Sequence, residues 1–220
     1  ILSESHWDWL VVDHYQLGEI WESTVRPSTN HILVIDDLAN RRHDCDVLLD
    51  QNYCAGFETR YVSLIDANTV GLYGPKYALL RAEFQTAAGR RTAKPVKEIL
   101  ICFGGSDPEN ATMWTLQSLE QANLTALKFK VVVGAANPHL AEIQNFCQQH
   151  EAFKCYASVD DIAHMMKAAQ LAIGASGTMN WERCSMGLPA LIFSLAENQD
   201  ASAQALPEAG RSCFLGRFGA

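Results

Sequence analysis

The stretch from Leu171 to Glu182, Leu-Ala-Ile-Gly-Ala-Ser-Gly-Thr-Met-Asn-Trp-Glu, holds the residue types best suited to gripping an anion. Its apolar run, Leu171 to Ile173, predicts a buried strand. Gly174-Ala-Ser-Gly-Thr178 predicts a tight turn, and a helix is expected to open directly after it. Ser176, Gly177 and Thr178 then sit at a helix N-terminus, where backbone N–H groups have no partner within the helix and the positive end of the helix dipole faces outward. A nucleotide diphosphate is the chemistry that fits. Glu182, four residues after Thr178, falls on the same helix face and can accept hydrogen bonds from two ribose hydroxyls. A helix-end field contributes about 0.3–1 kcal/mol when exposed and up to ~2 kcal/mol when partly buried, so several N–H bonds have to supply the rest.

Other chemistry-bearing groups also follow apolar runs. Gly104-Gly-Ser-Asp-Pro108 comes after the strand predicted over Glu98 to Phe103. Its glycines let backbone approach a ligand closely, Ser106 adds a hydroxyl, and Pro108 suits the first turn of a helix running to about Gln121. Neither this turn nor Gly174–Thr178 matches a Walker A or Gly-x-Gly-x-x-Gly pattern, which speaks against kinase-like or dinucleotide chemistry. Asn198 and Gln199 follow the strand Ala190 to Ser194. Their amides can bond sugar hydroxyls or a diphosphate, or Asn198 can simply cap a helix. Asp13-His14-Tyr15 follows the strand Trp9 to Asp13 and offers an imidazole and a phenol for acid–base work, or a loop trio with one side chain facing a cleft. Asp36, Asp37, Arg41, Arg42, His43, Asp44 and Asp46 crowd one segment. Their spacing matches no metal-binding motif, and a solvated, mutually paired charged loop is expected. His139, His150 and His164 fall on helical patterns and are read as structural or exposed. No metal site and no cofactor are expected.

Strands and helices alternate along most of the chain. Besides the segments above, His31 to Asp36, Asp46 to Asp50, Phe129 to Val133 and Ala152 to Tyr156 read as strands. Leu17 to Arg26, Pro138 to His150 (with Asn137 as N-cap) and the segment from Ser158 to Gln170 read as helices. Near-continuous apolar strands alternating with helices predict an α/β fold whose parallel sheets are covered on both faces. Ligands bind such sheets beyond the carboxyl ends of the strands, where Gly104–Ser106, Gly134-Ala135 and Gly174–Thr178 are all expected. The polar, small-residue segment 86–97 reads as a linker between a first domain, 1–85, and a second, 98–220.

The 220 residues are 48% hydrophobic and 19% charged, an ordinary globular profile, with a net charge of −8 that argues against nucleic acid or an anionic membrane as the main partner. No apolar run approaches the ~20 residues that a membrane-spanning helix needs. Seven scattered cysteines without a Cys-x-x-Cys pair predict reduced thiols and a cytoplasmic location.

Together, Val11-Val-Asp-His-Tyr15, Ile35-Asp-Asp-Leu-Ala39, His43-Asp-Cys-Asp46, Leu49-Asp-Gln-Asn52, Gly74-Pro-Lys-Tyr-Ala-Leu-Leu-Arg81, Phe103-Gly-Gly-Ser-Asp-Pro108, Gly174-Ala-Ser-Gly-Thr178, Trp181-Glu182 and Glu197-Asn-Gln199 resemble the UDP-2,4-diacetamido-2,4,6-trideoxy-β-L-altropyranose hydrolases of pseudaminic acid biosynthesis. That family is similar in fold to the glycosyltransferase that makes lipid II, with two Rossmann-like domains facing across a cleft (a GT-B-like architecture). The resemblance implies removal of UDP from a nucleotide-activated sugar by water, without a metal, by C–O cleavage with inversion at the anomeric carbon. It implies that Gly105, Ser106, Ser176, Gly177, Thr178 and Glu182 hold UDP, that Asn198 and Gln199 reach the sugar or diphosphate, and that Tyr15 lines the active site. The family's catalytic histidine lies in a Gly-x-Gly-His-like turn near its N-terminus. That turn is expected upstream of this chain, which would leave the first domain incomplete, the second lacking its last helices and the chain alone inactive. A GT-B-type glycosyltransferase using a UDP-sugar donor and a non-catalytic nucleotide-sugar-binding module are the alternative expectations.

Overall fold

Parallel strands place every one of these turns. The computed structural model describes residues 5–87, 94–208, 210 and 212–219, and the chain divides into two compact units, Ile1–Leu79 and Leu80–Ala220.

In the first unit β1 (Trp7–Asp13), β2 (Thr29–Ile35), β3 (Val47–Asp50) and β4 (Val70–Tyr73) pair in that order, all parallel. The helix α1 (Glu19–Val25) joins β1 to β2. Alternation along the strands sends Val12, Ile32, Val34 and Leu48 into a core with Cys45 and Tyr61. The opposite side chains of the edge strands, Trp7, Trp9, Val11 and Val70, are exposed among the described residues. Cover on both faces, expected of a parallel sheet, is therefore not seen at these edges. The charged segment after β2 also differs from expectation. It turns inward instead of lying in solvent: Asp36 and His43 are buried. Desolvated charges need partners, and these have them. His43 Nδ1 lies 2.7 Å from Glu22 Oε1, Arg41 pairs with Asp36 at 2.7 Å, and the Tyr61 hydroxyl donates to Asp36 Oδ2 at 2.8 Å. Arg26 pairs with Asp44 and Asp46.

The second unit opens with α2 (Ala82–Ala87) and then alternates strand and helix: β5 (Glu98–Cys102), α3 (Ala111–Gln121), β6 (Lys128–Val133), α4 (Leu140–Gln149), β7 (Phe153–Ala157), α5 (Ile162–Ala168), β8 (Leu171–Ala175), α6 (Met179–Ser185), β9 (Ala190–Ser194), α7 (Glu197–Glu208) and β10 (Ser212–Arg217). The sheet order is β10-β9-β8-β5-β6-β7, parallel throughout. The chain thus starts in the middle with β5, builds outward to β7, then crosses back to lay β8 on the other side of β5. Consecutive residues of β5, Ile99 through Cys102, are all buried, as a strand covered on both faces requires. One cover packs α3 and α4 side chains, Met113, Leu116, Ile143 and Cys147, on Ile99, Ile101, Phe129 and Val131. Phe129 and Phe153 stack at 4.6 Å in this layer.

The segment 86–97 begins inside α2, residues 88–93 lie outside the described residues, and the two compact units part between Leu79 and Leu80. Pro108 does not open a helix. Asn110 is the N-cap of α3, its side chain accepting the Met113 N–H, and Asp107, at φ 39°, accepts the N–H groups of Ala111 and Thr112, both at 2.9 Å. Asn137 is not the N-cap of α4, which opens at Leu140; its side chain accepts the His139 N–H at 2.7 Å instead. Apolar periodicity does not announce strands β4 and β10: each contains a glycine, and turn signals around Gly71–Pro75 hide the first of them.

Candidate functional site

Where β5 and β8 lie side by side, the chain leaves the sheet in opposite directions, β5 leading on to β6 and β8 to β9 on the other side. This is the topological switch point, the usual ligand position in open parallel sheets. The loop after β5 carries Gly104, Gly105 and Ser106; the loop after β8 carries Ser176, Gly177 and Thr178. At Gly104 (φ 99°) the left-handed backbone favours glycine, and a Cβ at either Gly104 or Gly105 would meet nothing within 4 Å. The rim is open there, and Ser106 and Thr178 are exposed beside it. Gly134, at the end of β6, is glycine for the opposite reason: a Cβ would run into the Gly105 carbonyl.

The turn after β8 is held from behind. Ser176 N–H donates to the Phe193 carbonyl at 2.7 Å, tying the turn to β9. Gly177 takes φ 126°, and α6 starts two residues later with Thr178 in the N-cap position and no side-chain cap. With only seven residues, α6 has little dipole, so an anion here depends on direct N–H and O–H donors. Arg183 is buried beneath the turn. It donates to the Ala175 carbonyl at 2.7 Å and to Asn180 Oδ1 at 2.6 Å, and Asn180 Nδ2 donates to Ser176 Oγ at 2.8 Å. Burial lowers the Arg183 pKa to about 10, still charged at neutral pH.

Glu182 lies one turn into α6, buried on its carboxyl side, with Arg81 Nη2 at 3.3 Å from Oε1. Burial raises its pKa, and the charge and hydrogen bond of Arg81 act against that rise. Arg81 also stands over the Phe84 ring at 5.3 Å. On the β9 side, Gln199 Oε1 accepts the Leu195 N–H at 2.9 Å, and its Nε2 lies 3.7 Å from where a Cβ at Gly177 would stand. Gln199 thereby secures this turn, and Asn198 is exposed in the first turn of α7.

Gly105, Ser106, Ser176, Gly177, Thr178, Glu182, Asn198 and Gln199 thus share the carboxyl side of one sheet. Tyr15 belongs to the first unit, exposed after β1. His14 Nδ1 accepts the Gln16 N–H at 3.1 Å, which ties it to its own loop. The structure adds Arg81, Asn180 and Arg183 to this group. The i, i+4 and i, i+3 spacings from Ser176 to Asn180 to Arg183 were the available signal. A separate pocket of about 440 Å³, lined by Lys94, Lys97, Lys130 and Gln170 among others, lies at the opposite end of the strands. Among the described residues no group of acidic, histidine and cysteine side chains could hold a metal ion, and no helix is long and apolar enough to cross a membrane.

Two parallel α/β Rossmann-like units, the second with a switch point between β5 and β8, define a GT-B-like fold. Residues 99–216, more than half of the chain, match the model of the glycosyltransferase family 28 C-terminal domain, and the chain belongs to that family. It is 30% identical over 154 residues to the spore coat polysaccharide biosynthesis protein SpsG of Bacillus subtilis, covering 69% of this chain and 45% of that protein. It is 25% identical over 211 residues to the UDP-2,4-diacetamido-2,4,6-trideoxy-beta-L-altropyranose hydrolase of Campylobacter jejuni, covering 96% of this chain and 74% of that protein. The S. aureus MnaA-UDP co-structure matches with a TM-score of 0.64 at 14% identity, over 95% of this chain and 62% of that one. The chain therefore spans less than half the length of the first of these relatives.

Proposed function

We propose that the carboxyl rim of β5, β8 and β9 binds the UDP moiety of a nucleotide-activated sugar, and that the chain is part of a hydrolase that frees UDP from a 2,4-diacetamido-2,4,6-trideoxy hexose. The observation that carries this reading is the meeting of Gly104–Ser106 with Ser176–Thr178 at the switch point, with a buried carboxylate, Glu182, one helical turn away. On this reading the bare loop at Gly105 and Ser106 admits the nucleotide, Ser176, Gly177 and Thr178 donate to the diphosphate, and Glu182 accepts from the ribose hydroxyls. Asn198 and Gln199 reach the sugar or diphosphate. Water attacks the anomeric carbon opposite the departing diphosphate, the C–O bond breaks and the configuration inverts. Donors on the rim meet the charge that develops on UDP, and no metal is required. The Gly-x-Gly-His-like turn that carries the family's base has no counterpart among these 220 residues, so the chain by itself holds UDP without hydrolysing the sugar nucleotide. The match to the Campylobacter hydrolase over 96% of the chain supports hydrolysis.

Glycosyl transfer is the second reading, favoured by the family 28 match; there an acceptor hydroxyl replaces water. Calorimetric titration with UDP, followed by assay of UDP release from a UDP-sugar, tests both. UDP is expected to bind, and Glu182→Ala to weaken it about 10- to 30-fold, the loss of two hydrogen bonds at roughly 1 kcal/mol each. Absence of UDP binding, or full affinity in Glu182→Ala, overturns the site. UDP release by the chain alone overturns the placement of the base, and a product formed only with an acceptor favours transfer.

A further inference from the structure

We infer that Arg183 and Asn180 are positioning residues that make Ser176 a hydrogen-bond donor to the ligand's diphosphate. The inference rests on the reading of this rim as a UDP site. Arginine has donors only, so the Asn180 atom 2.6 Å from Arg183 Nη2 must be the carbonyl oxygen. The Asn180 NH₂ is thereby turned to Ser176, and it donates to Oγ at 2.8 Å. Ser176 Oγ now accepts from the protein, and among the described residues its own hydrogen goes to no acceptor. A chain of donors, Arg183 to Asn180 to Ser176, ends on the O–H of a residue that is itself 4% exposed, and that hydrogen is left for an anion seated against the turn. Each bond polarises the next.

The charge at the base of the chain has the matching sign. Arg183 is 2% exposed, and its hydrogen-bond partners, the Ala175 carbonyl and the Asn180 amide, are neutral. Its neighbour Glu182 is turned to Arg81. The hydrogen-bond partners of this buried guanidinium carry no charge, and the Glu182 carboxylate opposes it only through space, so its positive charge lies behind Ser176 without an ion-pair contact. A carboxylate in place of Asn180 would neutralise that charge and would also reverse the chain, because it can only accept, so Ser176 would turn its hydrogen inward. Gly174 accommodates the arrangement: a Cβ there would stand 3.2 Å from Arg183 Nη1 and run into the Cys102 carbonyl.

Asn180→Asp is the test. A structural role for Asn180 predicts loss of stability; the positioning role predicts the reverse, since the introduced carboxylate forms an ion pair with Arg183. UDP titration and thermal unfolding are measured on the full chain for the wild type, Asn180→Asp, Ser176→Ala and the double variant. Asn180→Asp is expected to melt at or above the wild-type temperature and to bind UDP at least tenfold more weakly. Ser176→Ala is expected to lose a similar factor, and the double variant no more than the worse of the two. Wild-type UDP affinity in Asn180→Asp, a lowered melting temperature, or losses that multiply in the double variant each overturn the inference. No UDP binding by the wild type overturns the reading of the rim itself, an outcome distinct from these.

Discussion

Glu182 is pulled two ways. Burial disfavours its carboxylate, and Arg81 favours it. The ionised form is the stronger acceptor for ribose hydroxyls, and Arg81, itself half-exposed, favours it against the desolvation that disfavours it. Removing Arg81 raises the Glu182 pKa further, and affinity then falls as pH drops toward that raised value. The Kd for UDP of Arg81→Ala is expected to weaken more than the wild-type Kd as pH falls from about 8 to about 5.5. Equal profiles for the two proteins in calorimetry would show that Arg81 does not tune Glu182. The sequence marks Glu182 through its spacing from Thr178. It carries no local sign of Arg81, which lies 101 positions away.

Loops and strand ends set the shape of the rim, and two glycines shape it by opposite means. Gly134 lets the β6 end pass against the Gly105 carbonyl, whereas Gly105 faces open space. Gly134→Ala must push the β5 loop aside and is expected to destabilise the protein by about 1–3 kcal/mol, the usual cost of overpacking. Gly105→Ala, with nothing within 4 Å and no positive φ, is expected to keep wild-type stability and to weaken UDP binding by placing a methyl in the space proposed for the nucleotide. Urea unfolding and UDP titration of the two variants separate these effects. If Gly105→Ala binds UDP normally, the ligand does not pass over that loop. Periodicity identifies the strands on either side, but Gly134 and Gly105 look alike in sequence because their difference lies in what stands opposite them. The same limit applies to β1, whose apolar Trp7, Trp9 and Val11 suggest burial that the edge position does not provide.

Across the whole molecule, pH acts most visibly through Asp50 in the first unit. Burial raises its pKa from 3.8 to about 6, although it accepts from Asn52 N–H and Arg60. The folded state therefore holds this proton more tightly than the unfolded chain. Its contribution to stability is full below about pH 4 and is lost as pH rises through about 6, roughly 3 kcal/mol over that window. Asp50→Asn keeps an acceptor for Arg60 and is expected to flatten the decline between about pH 4 and 6 in urea unfolding; parallel curves for variant and wild type would refute it. By itself the sequence determined the alternation of strands and helices, the tight glycine turn of Gly174–Thr178 and the placing of Glu182 one turn on, because turn chemistry and i, i+4 neighbours are local properties. Tertiary structure alone decided that β8 lies beside β5, so that two glycine turns far apart in the chain stand at the ends of neighbouring strands. It also turned the Asp36–His43 segment inward, and it left Arg183 buried against neutral partners beneath Ser176. Strand order and burial depend on how faces pack across the sheet, and local patterning says which face is apolar without saying what it will meet.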